Sequence, residues 1–450
     1  MKNFSTDFTQ GNIPRQLFNF ALPLYASNFL QILYNVTDMV IVGQVLGKIG
    51  LSAVSIGGDV TSLLMFLSMG FSNAGSVIIA QLLGAGKRRE IGRFIGNMTT
   101  FLFGLGILFG VVCLNLREEI LQLMSTPPEA FDEALAYTTI TISGLIFIYG
   151  YNAVSAVLRG LGDSRHPFVF IALATVLNVL LDVVFVIILD FGAKGAALAT
   201  VISQGVSFVA CVTFLYRNRE RLSFSISGAD FVTFDGKLLA RFVKLGLPMA
   251  IKSASIHTSK LFVNSWINSY GVEISAFAGV ANKINSVANL LSNALNTSGA
   301  AMVGQNVGAR KFERVTKILR TIFAASLTLA TILSLTILIF PEKIFGMFTS
   351  DEHVLAIGTD YLPIAVLIFF GSACRAPMNA LIDGSGNYLA NFATALFDGI
   401  ILRIGLAVLF GLGFDMKHLG FWLGDALAGF TPLIIGTVLY FSGRWKKFLE

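Results

Sequence analysis

The sequence predicts an all-α integral membrane protein of twelve transmembrane helices, arranged as two pseudo-symmetric six-helix bundles around a central cleft. Three observations predict it: a composition too apolar for water, twelve apolar segments of bilayer length, and a repeat that divides the chain into two like halves. Of 450 residues, 55% are hydrophobic and 13% charged, well under the roughly one-quarter charged share of soluble domains. Mean hydropathy is +0.75. A fold in water does not cover that much apolar surface with so few polar side chains, whereas lipid as solvent removes the difficulty. The net charge of +6 sits between apolar runs, so it reads as membrane-flanking charge and no nucleic-acid partner is expected. Cys113, Cys211 and Cys374 lie inside apolar segments without a CxxC pair and read as small packing residues.

A helix that crosses a bilayer needs roughly 20 mostly apolar residues. Such segments fall at 15–43, 51–83, 92–115, 133–158, 167–190 and 194–216. They resume at 241–269, 274–304, 317–340, 355–382, 389–411 and 419–441. The polar N-terminus has no signal-peptide pattern, so the first segment reads as a retained helix. Placing both termini in the cytoplasm puts most Lys and Arg on that side, and only Lys48, Arg117, Lys194, Lys343 and Lys417 on the other. The positive-inside rule then selects this orientation and an even number of spans.

The longest polar connection, 217–240, divides an N-terminal lobe (1–216) from a C-terminal lobe (241–450). The halves repeat at a shift near 224: Pro23 with Pro248, Ser52-Ala53 with Ser275-Ala276, Gln81-x-x-Gly84-Ala85-x-Lys87 with Gln305-x-x-Gly308-Ala309-x-Lys311, Gly160-x-Gly162 with Gly384-x-Gly386, and Gly195-x-x-Leu198 with Gly420-x-x-Leu423. Six spans per repeat insert both halves in the same sense, as in transporters built from parallel repeats that rock about a central site.

Ionisable groups inside spans are costly and usually mark a pathway or a pair. In the first half these are Asp38 in helix 1 and Asp182 in helix 5. Asn178 stands four residues before Asp182, on the same helix face, and helix 6 offers Thr200. Two carboxylates, an amide and a hydroxyl suit an oxygen-lined cation site, against the plainer reading of Asn178 and Thr200 as helix-packing glue. The second half instead carries Lys252, His257 and Lys260 in helix 7, Lys283 in helix 8 and Arg375 in helix 10, as candidate contacts to a zwitterionic or partly anionic cargo. Asp383 reads as a loop-turn residue at the cytoplasmic edge, and Asp398 with Arg403 as a mutually neutralising pair.

The repeated motifs, Thr37-Asp38 with Val42-Gly43, Asn178-x-x-x-Asp182 and Arg159-Gly-Leu-Gly-Asp163-Ser together resemble the MATE family, the multidrug and toxic compound extrusion antiporters of the MOP flippase superfamily. The likeness runs from about Arg15 to about Gly443. It implies export of bulky, often cationic, amphipathic compounds driven by inward flow of H⁺ or Na⁺, with the cation site carried by Asp38, Asn178, Asp182 and Thr200. One branch of the family places a Glu in helix 7 and an Asp in helix 10. The matching stretches here hold no acid, which favours coupling through the first lobe, as in the branch that resembles DinF.

The leading expectation is therefore a cation-coupled multidrug antiporter of the prokaryotic inner membrane: a monomer with drug-like small molecules and the lipid bilayer as partners, and with no cofactor beyond the coupling ion. The competing expectation is a flippase for a lipid-linked or anionic substrate that uses the basic second lobe. An intramembrane enzyme is disfavoured, because HExxH, DDxxD and GxSxG motifs and clustered Cys/His ligands are absent from the sequence.

Overall fold

The computed structural model describes residues 6–218, 227–233, 235–349 and 351–446. These are helical, with no strand among them. Part of the expected connection (219–226 and 234) lies outside the described residues, as do Lys2, Arg219, Arg221 and Lys447 from the orientation argument.

Helix α1 runs from Ile13–Gly84, 72 residues. At about 1.5 Å per residue that is on the order of 100 Å, several times a hydrocarbon core of about 30 Å. Gly47 breaks it, with φ 63° and ψ −155°, a conformation open to glycine alone. The two halves are the first two expected spans. Then follow α2 (Arg88–Asn115), the short α3 (Arg117–Leu123), α4 (Pro128–Ser143), α5 (Leu145–Gly160), α6 (Arg165–Asp182) with a π-helical extension at Val183–Ile188, and α7 (Ala193–Arg217). Expected span 4 is the pair α4–α5, bent by 43°. Gly144 sits at the bend, where Val201 of α7 packs so closely that a Cβ would collide.

The second half comprises α8 (Gly236–Asn268), α9 (Val272–Gly308), α10 (Phe312–Ile339), α11 (Pro341–Gly346) and α12 (Glu352–Gly384). Expected span 11 is α13 (Tyr388–Leu396) and α14 (Leu402–Val408), with π-helical turns at Phe397–Ile401 and Leu409–Gly413. Span 12 is α15 (Lys417–Ala428) and α16 (Thr431–Ser442). Counting both halves of α1 and each broken pair once, the described residues hold twelve spanning segments. By length and apolar composition alone eight helices qualify, or nine with the bent pair. The two that fall short are α8 and α9, each of which carries a row of polar side chains that lines the cavity described below.

The chain packs as two compact units, one built on Leu22–Gly246 and the other on Asp7–Ala21 with Leu247–Glu450. Helix α1 thus begins in the second unit and α8 in the first. The repeated Gln-x-x-Gly-Ala motif explains how each start is held. In the first unit Arg241 of α8 donates to Gln81 Oε1 at 2.6 Å. In the second, the Phe8 N–H donates to Gln305 Oε1 at 2.9 Å and Asn306 Nδ2 donates to the Phe8 carbonyl at 3.0 Å. Arg314 adds bonds to the carbonyls of Phe8, Gln10 and Gly11. Outside the spans, Asp7 joins this clasp. Burial raises its carboxyl pKa, but hydrogen bonds from Gln10 and Thr9 and the charge of Lys311 outweigh that and hold it below the usual carboxylate value.

Candidate functional site

In the first unit, α1, α6 and α7 bring the four candidate residues to one place. Asp38 is 7% exposed, and Asn178 and Asp182 are fully buried. The four-residue spacing puts Asn178 and Asp182 on one face of α6, as the sequence predicts. With its amide oriented to satisfy both neighbours, Asn178 donates to Asp182 Oδ2 at 2.9 Å and accepts from the Thr200 backbone N–H at 3.2 Å. The Thr200 hydroxyl bonds the Tyr34 hydroxyl at 2.9 Å. Asp38 lies close enough to Asp182 for their charges to interact, and both charges reach Tyr34 and Tyr137.

One oxygen of each carboxylate, Asp38 Oδ1 and Asp182 Oδ1, is buried without a hydrogen-bond partner. Neither carboxylate makes an ion pair among the described residues. Buried carboxylate charge is unfavourable unless it is neutralised. Oxygen-only donors of this kind fit a proton or a hard cation. Among the described residues no three His, Cys, Asp or Glu side chains gather as a metal site. Tyr34 and Tyr137 were missed by the sequence reading. Tyr34 stands four residues before Asp38, a spacing that places both on one helix face. Tyr137 comes from α4 and has no local signal.

The second unit treats its charges differently. Lys252 donates to Asp383 at 2.6 Å and to Asn391 Oδ1 at 2.9 Å. Asp383 is therefore not the loop-turn residue at the cytoplasmic edge that the sequence suggested. It lies buried in the last turn of α12, and the pair satisfies both charges. Arg403, 1% exposed, bonds Asp398 at 2.6 Å and Asp425, and Arg375 reaches Asp398 at 3.4 Å. A cavity of about 410 Å³ opens beside this network, lined in part by His257, Lys260, Arg375, Arg403 and Asp425. Lys252 and Lys283 are not in its wall, and Lys283 is exposed.

Two helix bundles with carboxylates and fixed cations held inside spanning helices define a multi-pass membrane transporter. The MatE family model matches residues 23–184 and again 248–409. The chain is 29% identical over 440 residues to the probable multidrug resistance protein YpnP of Bacillus subtilis (strain 168), covering 98% of this chain and 97% of that one. It is 25% identical over 454 residues to the probable multidrug resistance protein NorM of Thermotoga maritima, covering 99% and 96%. A solved outward-facing conformation of a multidrug resistance MATE family transporter of the MOP superfamily superposes with a TM-score of 0.88 at 21% identity, covering 97% of each chain. The chain belongs to the MatE family.

The two family matches start and end 225 positions apart, while Gly160 and Gly384 are 224 apart. A π-helical turn adds one residue to a helix, and the one at Phe397–Ile401 lies between Gly384 and Gly420, where the offset to the first repeat grows from 224 to 225. Beyond it the lobes correspond closely: Gly195 packs on the Phe185 backbone as Gly420 packs on the Phe410 backbone. At this shift Asn178 matches Arg403 and Thr200 matches Asp425. The contact between Asn178 and Thr200 in one lobe is an ion pair in the other.

Proposed function

We propose that this chain is a cation-coupled antiporter that exports bulky amphipathic compounds, often cationic, across a prokaryotic plasma membrane by alternating access. The observation that carries this reading is the buried carboxylate cluster of the first lobe, which is paired with no cationic side chain among the described residues. The names of relatives such as YpnP and NorM add support for multidrug export.

Asp38 and Asp182 take up H⁺ or Na⁺ from outside, while Asn178, Thr200 and Tyr34 fix the carboxylates in place. Uptake removes the local negative charge and changes how α1 packs on α6 and α7. Exchange follows if cargo favours the cation-free state, because coupling is a difference in affinity between two states and is reciprocal. The flippase alternative loses part of its motive, since Lys252 is matched to Asp383 and Arg375 reaches Asp398.

The test is dye or drug efflux from cells expressing the wild type and Asp38→Asn at matched levels, with proton and Na⁺ gradients imposed separately. The expected result is efflux driven by one gradient in the wild type and none in the mutant. Undiminished efflux by Asp38→Asn would overturn the reading.

A further inference from the structure

We propose that the cavity of the second lobe binds the carboxylate end of an amphipathic cargo, with the Lys260 ammonium and the Arg375 guanidinium as counter-charges. This rests on the reading of the chain as an exporter of amphipathic compounds and adds a chemical class to it.

The cavity is built by helical spacing. Helix α8 turns His257, Lys260 and Asn264 to one face, at three- and four-residue intervals. Helix α9 does the same with Asn282, Asn285 and Asn289, a row of amides. Arg375 comes from α12, one turn beyond Ser372. This is why α8 and α9 are too polar to pass as spans on composition: their polar rows face an internal space instead of lipid.

The charges in and behind the wall do not cancel. Three cations, Lys260, Arg375 and Arg403, stand against two carboxylates, Asp398 and Asp425. Arg403 is held by both carboxylates, and Asp398 is shared with Arg375 at 3.4 Å. Among the described residues Lys260 makes no hydrogen bond or ion pair, and the charges of Asp425, Arg403, Arg375 and Asp398 act on it at longer range. Arg375 Nε and Asn285 Oδ1 are buried without a hydrogen-bond partner. One positive charge is therefore in excess inside a spanning bundle, where uncompensated charge is unfavourable.

A monoanion closes that balance, whereas a phosphate dianion would reverse it. The guanidinium and the amides of Asn282 and Asn289 supply donors for a carboxylate, whereas Asn285 gives its amide nitrogen to the Tyr361 hydroxyl at 2.7 Å. Trp422, Leu261 and Ile368 give the same cavity an apolar wall for the body of the molecule. The volume falls within the roughly 300–1,000 Å³ range of small-molecule sites.

The experiment is calorimetric titration of the purified full chain in detergent, without an ion gradient, using 1-naphthaleneacetate, its neutral amide 1-naphthaleneacetamide, and inorganic phosphate. The carboxylate is expected to bind the wild type at least tenfold more tightly than the amide. Lys260→Gln or Arg375→Gln should erase that preference, and Lys260→Arg should keep it. Equal affinity of acid and amide for the wild type would overturn the proposal, and this comparison needs no variant to fold. An intact preference in both glutamine variants would also overturn it. Displacement of the carboxylate by equimolar phosphate would replace the proposed class with phosphate. Because binding is read without a gradient, the antiporter reading and this one fail separately: lost coupling leaves the titration unchanged.

Discussion

At matched positions of the two repeats, the first lobe carries Asn178 and Thr200 where the second carries Arg403 and Asp425. Both pairs hold the broken helix that ends each repeat's fifth span against the sixth. The surroundings differ in sign. Among the described residues Asp38 and Asp182 have no cationic side chain paired with them, whereas Asp398 and Asp425 share the guanidinium of Arg403. The second lobe thus contains its own positive charge, covalently fixed. Under the proposed function the first lobe takes its positive charge from solution, so it can release it again. On that proposal the same frame serves as an exchangeable site in one lobe and a permanently neutralised one in the other, with coupling confined to the first.

The sharpest way to break this comparison is to give the first lobe the second lobe's cation. Asn178→Arg places a guanidinium beside Asp182, so the carboxylates no longer need an ion from outside. Efflux should fall to background while the protein still inserts and purifies as a monodisperse species. Retained gradient-driven efflux would show that exchange does not depend on the vacant charge. The converse change, Arg403→Met, removes the cation that both acids share, so that Asp425 loses its ion pair and buried Asp398 keeps only Arg375 at 3.4 Å. Breaking a buried pair from one side costs about 3–5 kcal/mol. The expected outcome is a clear drop in the thermal unfolding midpoint in detergent, partly restored by Asp398→Leu in the same chain. An unchanged midpoint for Arg403→Met would mean that the network is not structural.

The legible part of the molecule was the part that local pattern controls. Apolar runs marked the spans, and the four-residue spacing of Asn178 and Asp182 announced a shared helix face. The same rule would have reached Tyr34 from Asp38. What escaped the sequence depends on distant partners. Lys252 and Asp383 are 131 positions apart, so a lysine that looked available for cargo is committed to an acid that looked like a turn. Tyr137 joins the site only through the packing of α4 on α1. The pairing of Gly195 with Gly420 already carried the offset that matches Asn178 with Arg403, and the π-helical turn at Phe397–Ile401 shows where the extra residue sits. The polarity of α8 and α9 lowered their apolar signal because of the cavity itself, a feature of the assembled bundle.

The smallest expected effect tests whether the hydroxyl pair merely positions the carboxylates. Thr200 and Tyr34 share one hydrogen bond of 2.9 Å between α7 and α1. Removing one partner leaves the other hydroxyl unpaired in a half-buried setting, a loss of about 1 kcal/mol, or roughly fivefold in an equilibrium constant. Thr200→Val should therefore raise the cation concentration needed for half-maximal efflux by about that factor and leave the maximal rate near wild type. Tyr34→Phe should do the same, and the double variant should be no worse than either single one, because both remove the same bond. Additive losses would mean that the two hydroxyls act separately. A collapse of the maximal rate in Thr200→Val would place that hydroxyl among the groups that bind the ion itself.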